Sequence, residues 1–79
     1  MMIMNTKDFI SKFAEAIDAE APEELVVSTQ FRKLGEWNSL AVLSVIVLLD
    51  EEYGVQIESA QFKQLQTIGD IISYIESNQ

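Results

Sequence analysis

Apolar residues return along this chain at helical spacing in three places, and in the middle one they return too often. From residue 6 to 19, Phe9, Phe13, Ala16 and Ile17 fall at i, i+4, i+7 and i+8. That is the single stripe of an amphipathic helix. Asn5 or Thr6 is placed to cap it, Asp8 sets an acid in the first turn, and Pro22 is the expected stop. Near the other end, Ile68, Ile71, Ile72 and Ile75 share one face behind Thr67, with Asp70 in a capping arrangement. Ser59 is a candidate cap for a short helix holding Phe62 and Leu65. Residues 20 to 38 read as a long connection that opens on Glu20, Glu23 and Glu24. Its apolar anchors, Leu25, Val26, Phe31 and Leu34, predict a connection pinned to the core. Leu25 to Ser28 leans toward β structure but has no partner of similar length. The expected fold is all-α, a small bundle of three main helices plus one short one.

The helix expected over 39–53 is the unusual one. Val42, Val45, Ile46, Leu49 and Tyr53 make one face, read as the core face. Leu40, Leu43 and Val47 make a second stripe. Together they are too wide for one core-facing helix in so small a domain. Either the helix is buried on nearly all sides, or the second stripe is an exposed contact patch bordered by Asp50 and Glu51. Three acids near a helix C-terminus oppose its dipole by a few tenths of a kcal/mol each, roughly. That fits a recognition role.

Length and composition narrow the chemistry. Seventy-nine residues are expected to form one domain, 1–79, with room for one modest core. The chain has no cysteine and no histidine. Disulfides, thiolate nucleophiles, ordinary zinc sites and Ser-His pairs are excluded. Asp50, Glu51 and Glu52 are consecutive, so on a helix they diverge, and no metal site is expected. The net charge of -8 argues against nucleic acid and against anionic membrane surfaces. It favours partners with a basic patch. The start, MMIMNTKDF, has no basic leader and no long apolar core. The apolar run at 40–49 is shorter than the roughly 20 residues a bilayer needs. A cytoplasmic monomer without catalytic residues is expected.

Ser39 has two readings. Serine at a helix start is most often a cap. Asn38 caps as well, however, and would leave Ser39 as the first residue inside the helix, its hydroxyl outward. Free backbone N–H groups and the positive end of the dipole suit an attached phosphate there. With no base in reach, anything on Ser39 must be placed there by another enzyme.

These residues resemble a known family. Leu34-Gly35, then Asn38-Ser39-Leu40, an apolar helix ending in DEEYGV, and QTIGDIISYIES are similar to the acyl carrier proteins. The resemblance runs from about Phe31 to Ile75. It implies that a phosphopantetheinyl transferase moves 4′-phosphopantetheine from coenzyme A onto Ser39, between Asn38 and Leu40. The terminal thiol of that arm then carries acyl groups as thioesters. It implies no catalysis by the chain itself. It places Leu40, Leu43, Val47, Asp50 and Glu51 on a face that docks acyl-loading and acyl-processing enzymes, with Ile57 and Phe62 bordering the arm. Val42, Ile46, Leu49 and Tyr53 would line the interior. Asn38 stands where the family has aspartate, Ala41 and Ser44 where it has acids, and Glu58 where many members have proline. These departures point to a specialised carrier in lipid, polyketide or related acyl chemistry. The alternatives are a peptidyl or aminoacyl carrier, whose Gly-Gly-x-Ser-Leu pattern Glu36-Trp37 lacks, and an unmodified interaction bundle.

Overall fold

A computed structural model describes residues 5–78. Helix α1 runs Thr6–Ile17, α2 Ser39–Tyr53, α3 Ser59–Phe62 and α4 Ile68–Asn78. Single 3-10 turns at Pro22–Glu24 and Phe31–Lys33 lie in the connection from α1 to α2. No strand occurs among the described residues, only an isolated bridge between Gln30 and Thr67. The all-α expectation therefore holds.

Each helix starts and stops for a local reason. The Asn5 side chain accepts the Asp8 N–H at 3.0 Å and opens α1. The helix does not last until Pro22. It ends at Ile17 because Asp18 turns into the left-handed region, at φ 55°, where Ala19 N–H reaches back to the Ala14 carbonyl. That conformation costs a residue with a Cβ about 1–2 kcal/mol, although aspartate tolerates it better than most. Glycine gives back about 0.5–1 kcal/mol in chain entropy. Asp18→Gly is therefore expected to gain about 0.5 kcal/mol and raise Tm by about 2–4 °C, read by thermal unfolding. A drop in Tm would show that the Asp18 side chain contributes more than its backbone costs. Gly54, at φ 66°, closes α2 in the same way, with Gly54 N–H on the Asp50 carbonyl and Val55 N–H on that of Leu49. Glu58, not Ser59, holds the cap position of α3, with its N–H on the Gln61 side chain.

The start of α4 is fully engaged. Thr67 Oγ1 accepts from Asp70 N–H, and the Asp70 carboxylate accepts from the backbone of Gln66 and Thr67. The N–H groups of Ile68 and Gly69 donate to the carbonyls of Thr29 and Val27, at 3.1 and 2.8 Å. A Cβ on Gly69 would sit 3.1 Å from that Val27 oxygen, so glycine permits the approach. The turn that supplies these carbonyls aims Val26 and Val27 outward. Of the four expected anchors, Leu25 and Phe31 are buried, Leu34 is half-buried and Val26 is exposed.

The bonds from Gln66 and Thr67 hold the Asp70 carboxyl below its usual range. A lowered folded pKa gives stability that is present above the ordinary value and lost as pH falls through the folded one. Acidification through the carboxylate range is therefore expected to lower Tm. Asp70→Asn should cost about 0.5–1 kcal/mol at neutral pH and flatten the acid limb, solvent exposure keeping the effect small. An acid limb as steep in the variant as in the parent would exclude Asp70 as a contributor.

Core residues come from every helix. α1 supplies Phe9, Phe13, Ala14 and Ile17, α2 supplies Ala41, Val45 and Leu49, and α4 supplies Ile68, Ile71, Ile72 and Ile75. The inward line of α2 is thus Ala41–Val45–Leu49. Val42, Ile46 and Tyr53, expected on the core face, are half-buried flanks of it. On α1, Ala14 is buried where Ala16 was expected, and Ala16 lies at the edge. The Tyr53 hydroxyl is buried with no hydrogen-bond partner among the described residues, and burial pushes its pKa up.

An aromatic cluster ties the long connection to the helices. The Phe31 ring centroid lies 6.0 Å from Phe13, 4.7 Å from Trp37 and 5.6 Å from Phe62. Trp37 stacks on both Phe13 and Phe62. Arg32, which carried no signal in the sequence, adds a polar clasp. Its Nε donates to the Leu65 carbonyl at 2.9 Å and its Nη2 to the Phe62 carbonyl at 2.6 Å. The guanidinium lies over the Phe31 and Phe62 rings. The carbonyl of Phe62 at the end of α3, and that of Leu65 in the turn beyond it, thus accept from a distant segment.

Candidate functional site

The segment 34–38 reaches α2 under three constraints. Trp37 N–H donates to the Leu34 carbonyl at 3.1 Å, closing a turn. The Trp37 ring is held in the aromatic cluster. The Glu36 carboxylate accepts the Glu20 N–H at 2.7 Å, which moors the loop to the segment just beyond α1. That bond holds the Glu36 carboxyl below its usual range. The direction of approach to Ser39 is thereby set by the core and by the end of α1.

Asn38 then caps α2. Its backbone is extended, its Oδ1 accepts the Ala41 N–H at 2.8 Å, and its carbonyl accepts that of Val42 at 3.1 Å. Of the two readings of Ser39, the structure selects the second: it is the first residue of the helix, it is exposed, and Asn38 does the capping. Its hydroxyl has no hydrogen-bond partner among the described residues. The N–H groups of Ser39 and Leu40 have no partner there either. The contrast with α4 is direct, since there the equivalent amides are taken by Val27 and Thr29. α2 presents a free hydroxyl beside free amides at the positive end of a 15-residue helix.

That arrangement fits a phosphodiester on the serine. The oxygen is accessible, and the negative charge would lie where the dipole and two open donors favour it. No group of three or more His, Cys, Asp or Glu side chains able to hold a metal occurs among the described residues. Among the described residues, no helix is long and apolar enough to cross a membrane.

Leu40 is 71% exposed, Leu43 58% and Val47 50%, which rules out burial of α2 on nearly all sides. Asp50 and Glu51 are exposed about a turn further on. Ile57 and Phe62 do not join this face. They are 7% and 1% exposed, and the Phe62 ring is packed on Phe31 and Trp37. Both are packed into the core. A short apolar segment gives no period from which inside and outside can be told. Sequence reasoning missed Glu36 and Trp37 as supports of the site. Their roles rest on contacts with residues far away in the chain, and no local pattern encodes those.

Comparison with known proteins agrees with this geometry. Residues 7–75 match the family of the phosphopantetheine attachment site. The chain is 30% identical over 78 residues to an acyl carrier protein of Renibacterium salmoninarum, covering 95% of this chain and 96% of that one. It is 31% identical over 72 residues to an acyl carrier protein of Helicobacter pylori strain G27, covering 91% of each. An acyl carrier protein of Arthrobacter sp. is 26% identical over 78 residues, covering 95% and 96%. A helical domain that takes phosphopantetheine is the class these findings define. The chain belongs to the acyl carrier protein family, and it is a carrier and not an enzyme.

Proposed function

We propose that residues 1–79 act as one carrier domain, holding acyl intermediates as thioesters on a 4′-phosphopantetheine arm joined to Ser39. The observation that carries this reading is the exposed Ser39 hydroxyl, released from capping by Asn38 and set beside two open amides. The chain has no histidine or cysteine to activate that hydroxyl. A phosphopantetheinyl transferase must therefore supply the base and the coenzyme A. Once bound, the arm supplies the thiol that the chain lacks. The chain's own part is to present the oxygen, offer the amides to the phosphate, and dock enzymes.

Docking is proposed through Leu40, Leu43 and Val47, with Asp50 and Glu51 meeting basic residues of acyl-loading and acyl-processing enzymes. Ala41 is 4% exposed and Ser44 half-buried, so the first turns of α2 carry no acid near the serine. That supports dedicated partners in lipid, polyketide or related acyl synthesis over a general fatty-acid role. The setting proposed is a cytoplasmic monomer. The test is intact mass after incubation with coenzyme A and a broad-specificity transferase. One phosphopantetheine should be added, and fragment mapping should find it on the peptide holding Ser39. No gain with several competent transferases would end the proposal.

A further inference from the structure

The serine is delivered to α2 by a segment that one side chain ties to the end of α1. Glu20 and Glu36 lie 16 positions apart, and the Glu36 carboxylate accepts the Glu20 N–H at 2.7 Å. The donor is held in place. Asp18 turns left-handed, and Ala19 N–H is bonded to the Ala14 carbonyl at 2.9 Å, so the Glu20 amide follows directly on a closed helix end. The acceptor is ionised, which makes such a bond roughly twice as strong as one between neutral groups. Among the described residues it is the one hydrogen bond that joins segment 34–38 to any residue before Phe31.

Nothing stands ready to replace it. Glu36 lines two open hollows, one of about 590 Å³ shared with Asp18, Glu20 and Asn38, the other of about 240 Å³ shared with Glu20, Glu24 and Leu34. No lysine or arginine lines either, so no cation is placed to take the carboxylate instead. Gly35 has nothing within 4 Å of where a Cβ would stand, so packing does not fix the residue before Glu36. The Trp37 ring anchors the segment in the core at one point. A single point leaves the chain free to pivot, and the Glu36 bond is the second. A transferase must meet Ser39 and the turn before it in one arrangement. Where only a fraction of molecules hold that arrangement, apparent affinity falls by that fraction, and chemistry on the bound carrier is unchanged.

We propose that Glu36 is a positioning residue for the modification of Ser39: bonded to the backbone of Glu20, its carboxylate holds segment 34–38 in the form that a phosphopantetheinyl transferase accepts. The proposal rests on the carrier reading. Glu36 acts through the Glu20 N–H and through the backbone of Trp37 and Asn38, not on the hydroxyl itself.

The test measures transfer of phosphopantetheine from coenzyme A while the concentration of this protein is varied, for the parent, Glu36→Ala and Glu36→Gln. Alanine removes the acceptor. Glutamine keeps a carbonyl oxygen and removes the charge. Glu36→Ala should raise KM about fivefold with kcat within about twofold of the parent. Glu36→Gln should bring KM back to within about twofold. If glutamine fails as alanine does, Glu36 is a charge contact with the transferase, and the positioning role is overturned. An unchanged KM in Glu36→Ala, whatever its Tm, overturns it too.

A second measurement needs no transferase. The Glu20 amide should exchange its hydrogen about fivefold faster in Glu36→Ala than in the parent, and at nearly the parent rate in Glu36→Gln. The Glu20 N–H first, and the residue's own N–H second, hold the Glu36 carboxyl below its usual range. On acidification the Glu20 amide resonance of the parent should therefore move as Glu36 takes its proton. Asp18, Glu20 and Glu24 titrate nearby, and the Glu36→Gln protein supplies their share. Identical traces for the two proteins would overturn the bond itself. A parent that is modified, with Glu36→Ala modified equally well, sinks the positioning role alone. A parent that takes no phosphopantetheine sinks the carrier reading and this role with it.

Discussion

Ser39→Ala is expected to abolish phosphopantetheine addition while leaving the fold as it was. The hydroxyl makes no hydrogen bond among the described residues, and Asn38 supplies the cap. Alanine is the better helix former by a few tenths of a kcal/mol, about 0.5 at most. Thermal unfolding should therefore move by no more than about 4 °C, and upward if at all. Mass spectrometry should show no gain under conditions that convert the parent completely. Asn38→Ala should do the reverse. It removes the Oδ1 that takes the Ala41 N–H, costs about 1 kcal/mol, and leaves a serine that can still be modified. A Ser39→Ala protein that still gains the group would place the attachment on another hydroxyl and remove the basis of the site.

Phe31→Ala is expected to bring the protein close to its unfolding midpoint. Phe31 is wholly buried, and its ring touches Phe13 of α1, Phe62 of α3 and Trp37 of the attachment segment. Truncating a phenylalanine in such a place costs about 3–5 kcal/mol, the lost transfer energy plus the cavity left behind. Small domains have about 5–15 kcal/mol in total, and one of this length is expected near the lower end. Urea unfolding followed by far-ultraviolet circular dichroism measures the loss. Trp37 fluorescence in the same titration reports whether the attachment segment loosens first. A loss below about 1 kcal/mol would show that the cluster repacks around the gap and that Phe31 does not join the connection to the bundle.

The two results divide the molecule usefully. On the proposed function, Ser39 would carry the arm with almost no stake in stability, because it sits outside the cap and outside the core. Phe31 carries stability with no exposed chemistry. Trp37 belongs to both accounts, as its ring is part of the core and its backbone lies two residues before the serine.

Much of the bundle was legible because helical periodicity and capping chemistry are local. Thr67 with Asp70, Asn5 with Asp8 and Asn38 with Ala41 act within one turn, so the order of residues announces a cap at each start, while leaving Thr6 beside Asn5 and Ser39 beside Asn38 as alternatives. The isoleucine face of α4 was equally plain, since four residues at one spacing leave a single inward side. The double stripe of α2 announced that something was unusual but not which side faced in. Val42, Ile46 and Tyr53 seemed as inward as Val45 on spacing alone. The position of α1, set by Phe9, Phe13 and Ile17, decides that Ala41 is buried instead.

By itself, the sequence determined an all-α fold, a serine at the mouth of an apolar helix, and a net charge of -8, because spacing, caps and net charge are properties of neighbours and sums. Tertiary structure alone decided which apolar residues stay outside, leaving Leu40, Leu43 and Val47 exposed and drawing Ile57 and Phe62 within. It also decided that Arg32 and Glu36 hold distant backbone, and that the amides of Ser39 and Leu40 remain open while those of Ile68 and Gly69 in α4 are closed. Each of these depends on segments far apart in the chain meeting in space, and the order of residues along the chain does not record such meetings.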